Sequence, residues 1–553
     1  VTARGATTFE GPPLDGFAGI GALTMGAFLE EVAERFAANE ALVFDDPLRG
    51  GATVRWTYAD LQAAARRTAK ALIAAEVERG ESVGILMGNR PEAVAAFFGA
   101  AMAGAVVVPM STFAPRPELA HMLETADVAV CLTQERLLAR RFGDDVEVLS
   151  PDLPSLRQCA VLGDGSWERL HGGADHLADA ELDERIAGAR EDDPALVIFS
   201  SGTTNVPKGM LHCHRAPTLQ FWVQAQIFGR DETTRMWTAL PMFWTAGLNT
   251  AMGSTLAAGG CWVMEETFEP GEALALMARE RVTEPYTLPH QTGALEEHPD
   301  WATTDLSSLT HVFGKGAFAR HPSVQGDPSW LMPVGYGLSE TCAFFVSHWS
   351  DADREATRRS MGTLLPGNRL RVVDPDTGQA LGVDEEGELA IAGPTLMLRY
   401  LGKEPAQCFD ADGFFRTGDA GHIDHLGEVH FTGRRTEMIK TGGANVSPAE
   451  LEVQLRACPP VKLSRVVGVP DPRLDQLVVA CITLKEGAEA TAEDIQAFLR
   501  DRVAAYKVPK RVLFFADGEI PMTSSDTKVR DDALIALVED RLAATATTTT
   551  GDR

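Results

Sequence analysis

Short runs of apolar, β-branched residues alternate with alanine-rich amphipathic stretches along the first part of the chain. SVGILM (82–87) has the make-up of a buried strand, Glu92 to Ala103 that of a helix opened by Pro91, and AVVVPM (105–110) that of a second strand. Strand, helix, strand at this spacing predicts a βαβ unit, because parallel neighbours need a crossover long enough to return the chain. ADVAVCL (126–132) and ALVIFSS (195–201) continue the pattern, whereas 143–193 is polar and acidic and predicts loops and a surface helix.

After about residue 365 the texture changes. NRLRVVD, GELAIAG and EVHFTG, separated by Asp-Gly and Asp-Thr-Gly turns, predict a smaller β-rich subdomain. From about 437 a compact α+β region follows: helix 448–457, strands 464–469 and 477–484, helix 491–504 and strand 511–515. The tail AATATTTTGDR has low complexity and predicts disorder. The stretch 236–264 has no charged residue and is long enough to cross a bilayer. It also holds Pro241, Asn249 and four glycines, and so predicts strand, loop, helix, glycine turn and strand rather than a membrane span.

A chain of 553 residues is too long for one core, so at least two domains are expected. The formal net charge of −28 and the lack of a basic stripe exclude a nucleic-acid partner. They do not exclude phosphate ligands, which a few local lysines, arginines and backbone N–H groups can hold. The 8 cysteines have no CxxC spacing, and the first residues lack a basic region followed by an apolar run. Reduced thiols and a cytoplasmic location are the expectation.

ALVIFSSGTTNVPKGM (195–210) is the most informative stretch. A buried strand runs into Ser200, Ser201, Gly202, Thr203 and Thr204, and Lys208 follows after Asn205, Val206 and Pro207. Small hydroxyl residues around glycine at a strand end can surround phosphate oxygens with N–H and hydroxyl groups, and Lys208 adds charge. It is not the GxxxxGK(S/T) loop that opens a helix, since glycine follows the lysine. The stretch resembles the signature loop of the ANL superfamily of adenylate-forming enzymes, in its acyl-CoA synthetase branch, with Asn205 where glycine is usual.

The resemblance continues in order along most of the chain. GYGLSETC (335–342) is similar to a family motif, which implies Tyr336 and Gly337 at the adenine, Ser339 at the α-phosphate and Glu340 on Mg2+. HVFGKGAF (311–318) resembles the strand and turn whose backbone lies along adenine, placing Gly316 and Ala317 there, with Phe318 where proline is usual. DGFFRTGDAG (412–421) implies Asp419 as acceptor of both ribose hydroxyls, and Arg434 reaches the ribose as well. FTGRRTEMIKTGGANVSPAELE (431–452) resembles the hinge segment, with Thr436 at the position where Asp or Lys is usual. There the resemblance implies Lys440 as a residue of the second half-reaction and Gly442 and Gly443 on the coenzyme A path. In IPMTSSDTKVRDDAL (520–534) it implies Lys528 as the adenylation lysine, one residue later than usual and without the family's glycine.

The resemblance thus implies an α/β plus α+β architecture. An N-terminal domain of parallel αβ layers spans 1–433, with the β-rich subdomain at 365–433. A hinge at 434–436, a mobile C-terminal domain at 437–540 and a disordered tail at 541–553 complete it. It implies ATP, Mg2+ and coenzyme A as cofactors and a small-molecule carboxylic acid as substrate, with acyl-AMP and pyrophosphate formed first and acyl-CoA and AMP second. LPMFWTAGLNT (240–250) then supplies the acyl pocket, with Trp244 where many relatives have histidine, and with Gly247 and Gly316 leaving room for a bulky apolar acid. A separate carrier protein as acceptor, an enzyme specialised to one half-reaction, and a homodimer stay open. His212-Cys213-His214 has the look of metal ligands but no further ligands cluster near it in sequence.

Overall fold

A computed structural model describes residues 7–549 except 201–206, 315, 328, 353–354, 435–437, 442–443, 472–473, 501, 504–506 and 524–528. The predicted βαβ unit is present: strands Ser82–Leu86 and Val106–Pro109 run parallel, joined by helix Pro91–Met102. Pro91 sits in the first turn of the helix, where its missing N–H costs nothing. The helix packs on Tyr58–Ala74, whose start is closed by a capping box between Thr57 and Asp60. A side chain at Gly99 would meet the Ala65 carbonyl at 2.7 Å, so glycine permits this close helix contact.

These strands belong to a seven-stranded sheet in the order Arg399–Tyr400, Lys208–Cys213, Pro194–Ser200, Val106–Pro109, Ser82–Leu86, Val128–Gln134, Gln158–Leu162. The last five strands are parallel; Lys208–Cys213 and Arg399–Tyr400 add antiparallel at one edge. Gln158–Leu162, the opposite edge, lies inside the region expected to be loops and one surface helix. That region also forms helices Phe142–Leu149, Ser166–Gly172 and Asp179–Ala187. An edge strand of five residues with a polar start has too little apolar patterning to stand out.

A second sheet orders Glu284–Pro285, Arg235–Thr238, Cys261–Met264, Glu40–Asp46 and Ala52–Thr57, parallel except for the last. The uncharged 236–264 stretch resolves as expected into strand, loop, helix, turn and strand, and among the described residues no helix is long and apolar enough to cross a membrane. Its helix is of the rare π type over Ala246–Gly253: Ser254 N–H donates to Asn249 O, five residues back. Arg230 braces this helix from below. Its guanidinium pairs with buried Glu284 at 2.6 and 2.9 Å and reaches Thr250 O and Ser254 Oγ.

The β-rich subdomain is an antiparallel sheet of Arg369–Val373, Gly387–Ala392, Phe415–Ile423 and Val429–Arg434, joined at its edge by Phe9–Glu10 from the N-terminal end. The region 311–318 departs from its expected strand. His311 and Thr310 both donate to Thr283 O without forming a ladder, His311 stacks on Trp330 at 4.9 Å, and Ala317–Arg320 turns into a short helix.

The C-terminal region forms its own sheet, with Ile439–Thr441, Asp475–Leu484, Val461–Asp471 and Arg511–Phe514 around helices Pro448–Arg456 and Ala492–Arg500. Its last helix runs Asp531–Thr549, so the tail expected to be disordered from 541 is helical to Thr549. Leu542 packs against the domain's second apolar cluster, and Arg541 lies over Phe515 and pairs with Glu519.

Candidate active site

Residues of the signature stretch sit on a β-hairpin. Strands Pro194–Ser200 and Lys208–Cys213 pair antiparallel, with Ser200 opposite Lys208. Lys208 is exposed. The expected phosphate-contacting residues Ser201, Gly202, Thr203 and Thr204 lie outside the described residues.

Tyr336 is on the hairpin Gly335–Leu338/Ala343–Ser347, and a bulge between Tyr336 and Gly337 re-aims the strand. A Cβ at Gly337 would run into the Ala343 carbonyl, so only glycine fits there. Between the strands, Ser339, Glu340 and Thr341 form a single 3-10 turn, closed by Cys342 in the left-handed region at φ 61°. Thr341 Oγ1 accepts from Leu338 N–H at 2.9 Å and donates to a nearby carbonyl, and Asn249 of the π-helix donates to Cys342 O. A non-glycine residue at positive φ is strained, and this bonding holds the strain.

Glu340 is tied to the Pro194–Ser200/Lys208–Cys213 hairpin through Tyr400, a residue that no motif singles out. Tyr400 pairs with Met210 on the outer strand, and its hydroxyl donates to Glu340 Oε1 at 2.7 Å. Met397 N–H donates to Glu340 O at 2.7 Å. The chain has only 5 tyrosines, and the structure brings two of them, Tyr336 and Tyr400, to the partners Asp419 and Glu340.

Asp419 and Arg434 stand directly opposite each other on Phe415–Ile423 and Val429–Arg434. Tyr336 donates to Asp419 Oδ2 at 2.7 Å, and Arg434 Nε lies 3.2 Å from Oδ1. That approach is off the hydrogen-bonding direction, and buried Oδ1 is left with no hydrogen-bond partner. Burial pushes the Asp419 carboxyl above its ordinary value, against the opposing pull of Tyr336 and Arg434. Gly418, at φ 74°, lies where the register of strand Phe415–Ile423 shifts, one residue before Asp419. Phe431, the first residue of the segment likened to the hinge and given no role there, stacks on Tyr336 at 5.6 Å and 26°.

His212 lies fully buried beneath the Ser339 turn with neither ring nitrogen hydrogen-bonded, and burial drives its pKa down to about 4. His214 accepts from Met25 N–H at 3.3 Å, and its pKa falls to about 4 for the same reason. Among the described residues the His212-Cys213-His214 run makes no three-ligand cluster.

Trp244 precedes the π-helix and forms a ring cluster with Phe243 and Phe113, at centroid distances of 5.4–5.9 Å. Phe113 is 40% exposed and was not marked by sequence. The space expected at Gly247 is taken: a side chain there would collide with the Pro241 carbonyl. Gly253 likewise backs onto the Phe221 ring. The small residues serve close packing of the π-helix. Gly316 caps the short helix that Ala317 begins, while Phe318 packs on Trp301 at 5.5 Å.

Lys440 is exposed on the small domain, its N–H bonded to Gln476. Among the described residues no hydrogen bond or ring contact joins Gly316, Ala317, Trp244 or Lys440 to Tyr336 or Asp419. Thr436, Gly442, Gly443 and Lys528 lie outside the described residues.

The 194–213 hairpin, a buried acceptor at Asp419 and the Ser339–Thr341 turn, with a small α+β domain following, fit an adenylate-forming fold. The model of the AMP-binding enzyme family matches residues 29–401, and that of the AMP-binding enzyme C-terminal domain matches 450–527. The chain belongs to the AMP-binding enzyme family. It is 32% identical over 478 residues to a feruloyl-CoA synthase of Amycolatopsis sp, covering 85% of this chain and 91% of that protein. It is 31% identical to an indoleacetate–CoA ligase of Aromatoleum aromaticum, covering 87% and 93%. The ATP-bound structure of MatB from Rhodopseudomonas palustris superposes with a TM-score of 0.74 at 25% identity, covering 93% and 99%.

Proposed function

We propose that the chain is an ATP-dependent acyl-CoA synthetase acting on a bulky, ring-bearing carboxylic acid. The observation that carries the reading is Asp419 Oδ1, a buried acceptor without a hydrogen-bond partner beside Arg434. An oxygen held only by an off-axis guanidinium at 3.2 Å keeps acceptor capacity, which a ribose hydroxyl would use on binding. Tyr336, fixed by Asp419 on one side and Phe431 on another, offers a ring edge and face to the adenine.

Ser339 and the 200–208 segment would then surround the phosphates, with Lys208 supplying charge. Glu340 is a single carboxylate beside those phosphates, a donor set that suits Mg2+. When bound, that ion neutralises charge on the phosphate oxygens. The substrate carboxylate attacks the α-phosphorus and pyrophosphate leaves. The protein's task is positioning and charge stabilisation, to which Lys528 and Ser339 contribute. Rotation of the small domain about Thr436 then brings Lys440, Gly442 and Gly443 to the site. The coenzyme A thiolate takes the acyl group and AMP departs.

For the acid, the Phe113–Phe243–Trp244 cluster favours a flat ring, since aromatic faces and edges pair at these distances. The relatives named for feruloyl and indoleacetate substrates point the same way. The test is mass spectrometry of products with ATP, Mg2+ and an aryl acid, with coenzyme A or a phosphopantetheinyl carrier protein as acceptor. Acyl-CoA and AMP in equal amounts support the reading. Acyl carrier protein without acyl-CoA, or no adenylate with any acid, contradicts it.

A further inference from the structure

The hairpin that carries Asp419 and Arg434 holds a second cluster at its turn, five residues beyond Asp419. Asp424 Oδ1 accepts from the Leu426 and Glu428 N–H groups, both at 2.9 Å, which fixes the turn. Its other oxygen faces His430 Nε2 at 3.0 Å. The Glu428 side chain folds over the same spot and is only 13% exposed. Its Oε2 has no hydrogen-bond partner, and the Arg359 guanidinium stands off at 3.9 Å. One donor atom from each of Asp424, Glu428 and His430 lies within 4.8 Å of the other two. His422, directly across the ladder, stacks flat on His430 at 4.4 Å and 2°, which sets the ring's orientation.

We propose that Asp424, Glu428 and His430 bind one divalent first-row metal ion of the zinc type. An imidazole nitrogen and two carboxylate oxygens are the donor set of such ions, bound at about 2.0–2.2 Å, with water free to complete the shell. Donors at that range from one centre lie about 3–3.5 Å apart, so the Asp424–His430 pair is already at the required spacing and Glu428 has only to swing inward. The swing costs little, because the Glu428 oxygen has no hydrogen bond to give up. Two carboxylates share this spot with one arginine that stands 3.9 Å from Glu428, and a bound cation would neutralise both. The cluster shares no residue with the Glu340 turn, and its effect would be to clamp the two strands whose far positions present Asp419 and Arg434.

The test uses the full chain, without an affinity tag and stripped of metal, titrated calorimetrically with ZnCl2 in the absence of ATP. Glu428→Gln and His430→Gln serve as comparison variants. The wild type is expected to bind one more Zn2+ per chain than either variant, with affinity at that site at least about a hundredfold higher. Co2+-loaded wild type should show a visible d–d band that both variants lack. Zn2+ should raise the melting temperature of the wild type and leave that of the variants unmoved, as binding to the folded state requires. Equal zinc stoichiometry and affinity in the wild type and in a variant with an unchanged metal-free melting temperature would overturn the proposal. So would a wild type that takes up no stoichiometric zinc at micromolar free concentration.

Discussion

On the proposed nucleotide side, Tyr336, Asp419 and Glu340 each meet a side chain from another element. Tyr336 bonds Asp419, Asp419 faces Arg434 across a ladder, and Glu340 takes the Tyr400 hydroxyl. On the proposed acyl side, the contacts around Trp244 are apolar and much closer to interchangeable: three aromatic rings, a π-helix, and glycines pressed against Pro241 and Phe221. Directional bonds demand particular residue types, whereas an apolar wall tolerates many of similar volume. The first side should therefore fail sharply under single substitutions and the second should drift.

The largest expected effect is at Lys528. Lys528→Ala should slow pyrophosphate release at least about a hundredfold, the scale of losing one group that stabilises transition-state charge, and spare thioester formation from pre-made acyl-adenylate. Burst kinetics with both starting points measure this, and pyrophosphate release at the wild-type rate would show that another lysine does the work. Next is Asp419→Ala, expected to weaken ATP binding about ten- to a hundredfold, or about 1–3 kcal/mol. Calorimetry with a non-hydrolysable ATP analogue reads it directly.

Substitutions on the acyl side should be milder. Phe113→Ala and Trp244→Ala should each lower kcat/KM for an aryl acid by about two- to tenfold, from the 0.5–1.5 kcal/mol of a ring–ring contact. ATP affinity should stay put. A loss of ATP binding in either variant would erase the contrast between the two sides.

The smallest effect on turnover belongs to Glu265, behind the acyl-side loop. Asn89 bonds both Leu240 O and Glu265 O, and burial raises the Glu265 carboxyl to about 8. The folded chain then binds more protons than the unfolded one between about pH 4.5 and 8. Stability is therefore lost as pH rises through that window, by up to about 1.4 kcal/mol per unit. Glu265→Gln should flatten this slope in denaturant titrations at pH 5 and pH 8 and change kcat/KM little. An unchanged slope would mean that the carboxyl is already ionised at pH 5.

The same contrast explains what was legible in the sequence. Tyr336, Glu340 and Asp419 are reached through the resemblance of their segments to family motifs, and the structure sets Tyr336 against Asp419 and Tyr400 against Glu340. The βαβ core is visible because strands buried on both faces read as continuous apolar runs. Tyr400 and Phe431 stay hidden because each acts through a partner far away in sequence. The strand Gln158–Leu162 is short and at an edge, and Phe9 and Glu10 pair with partners 361 and 359 residues on, at Leu370 and Arg369. The π-helix has the composition of any glycine-rich helix, and Gly247 looks like empty space until Pro241 is placed against it.

The central claim is that a fixed nucleotide side serves an aromatic acyl side, and acid-dependent exchange of labelled pyrophosphate into ATP tests it most directly. With saturating ATP and Mg2+ and no coenzyme A, the account predicts exchange with aryl or other ring-bearing acids at least about a hundredfold above acetate, roughly 3 kcal/mol of differential binding. Exchange fastest with acetate or propionate, or none with any carboxylic acid, would contradict it.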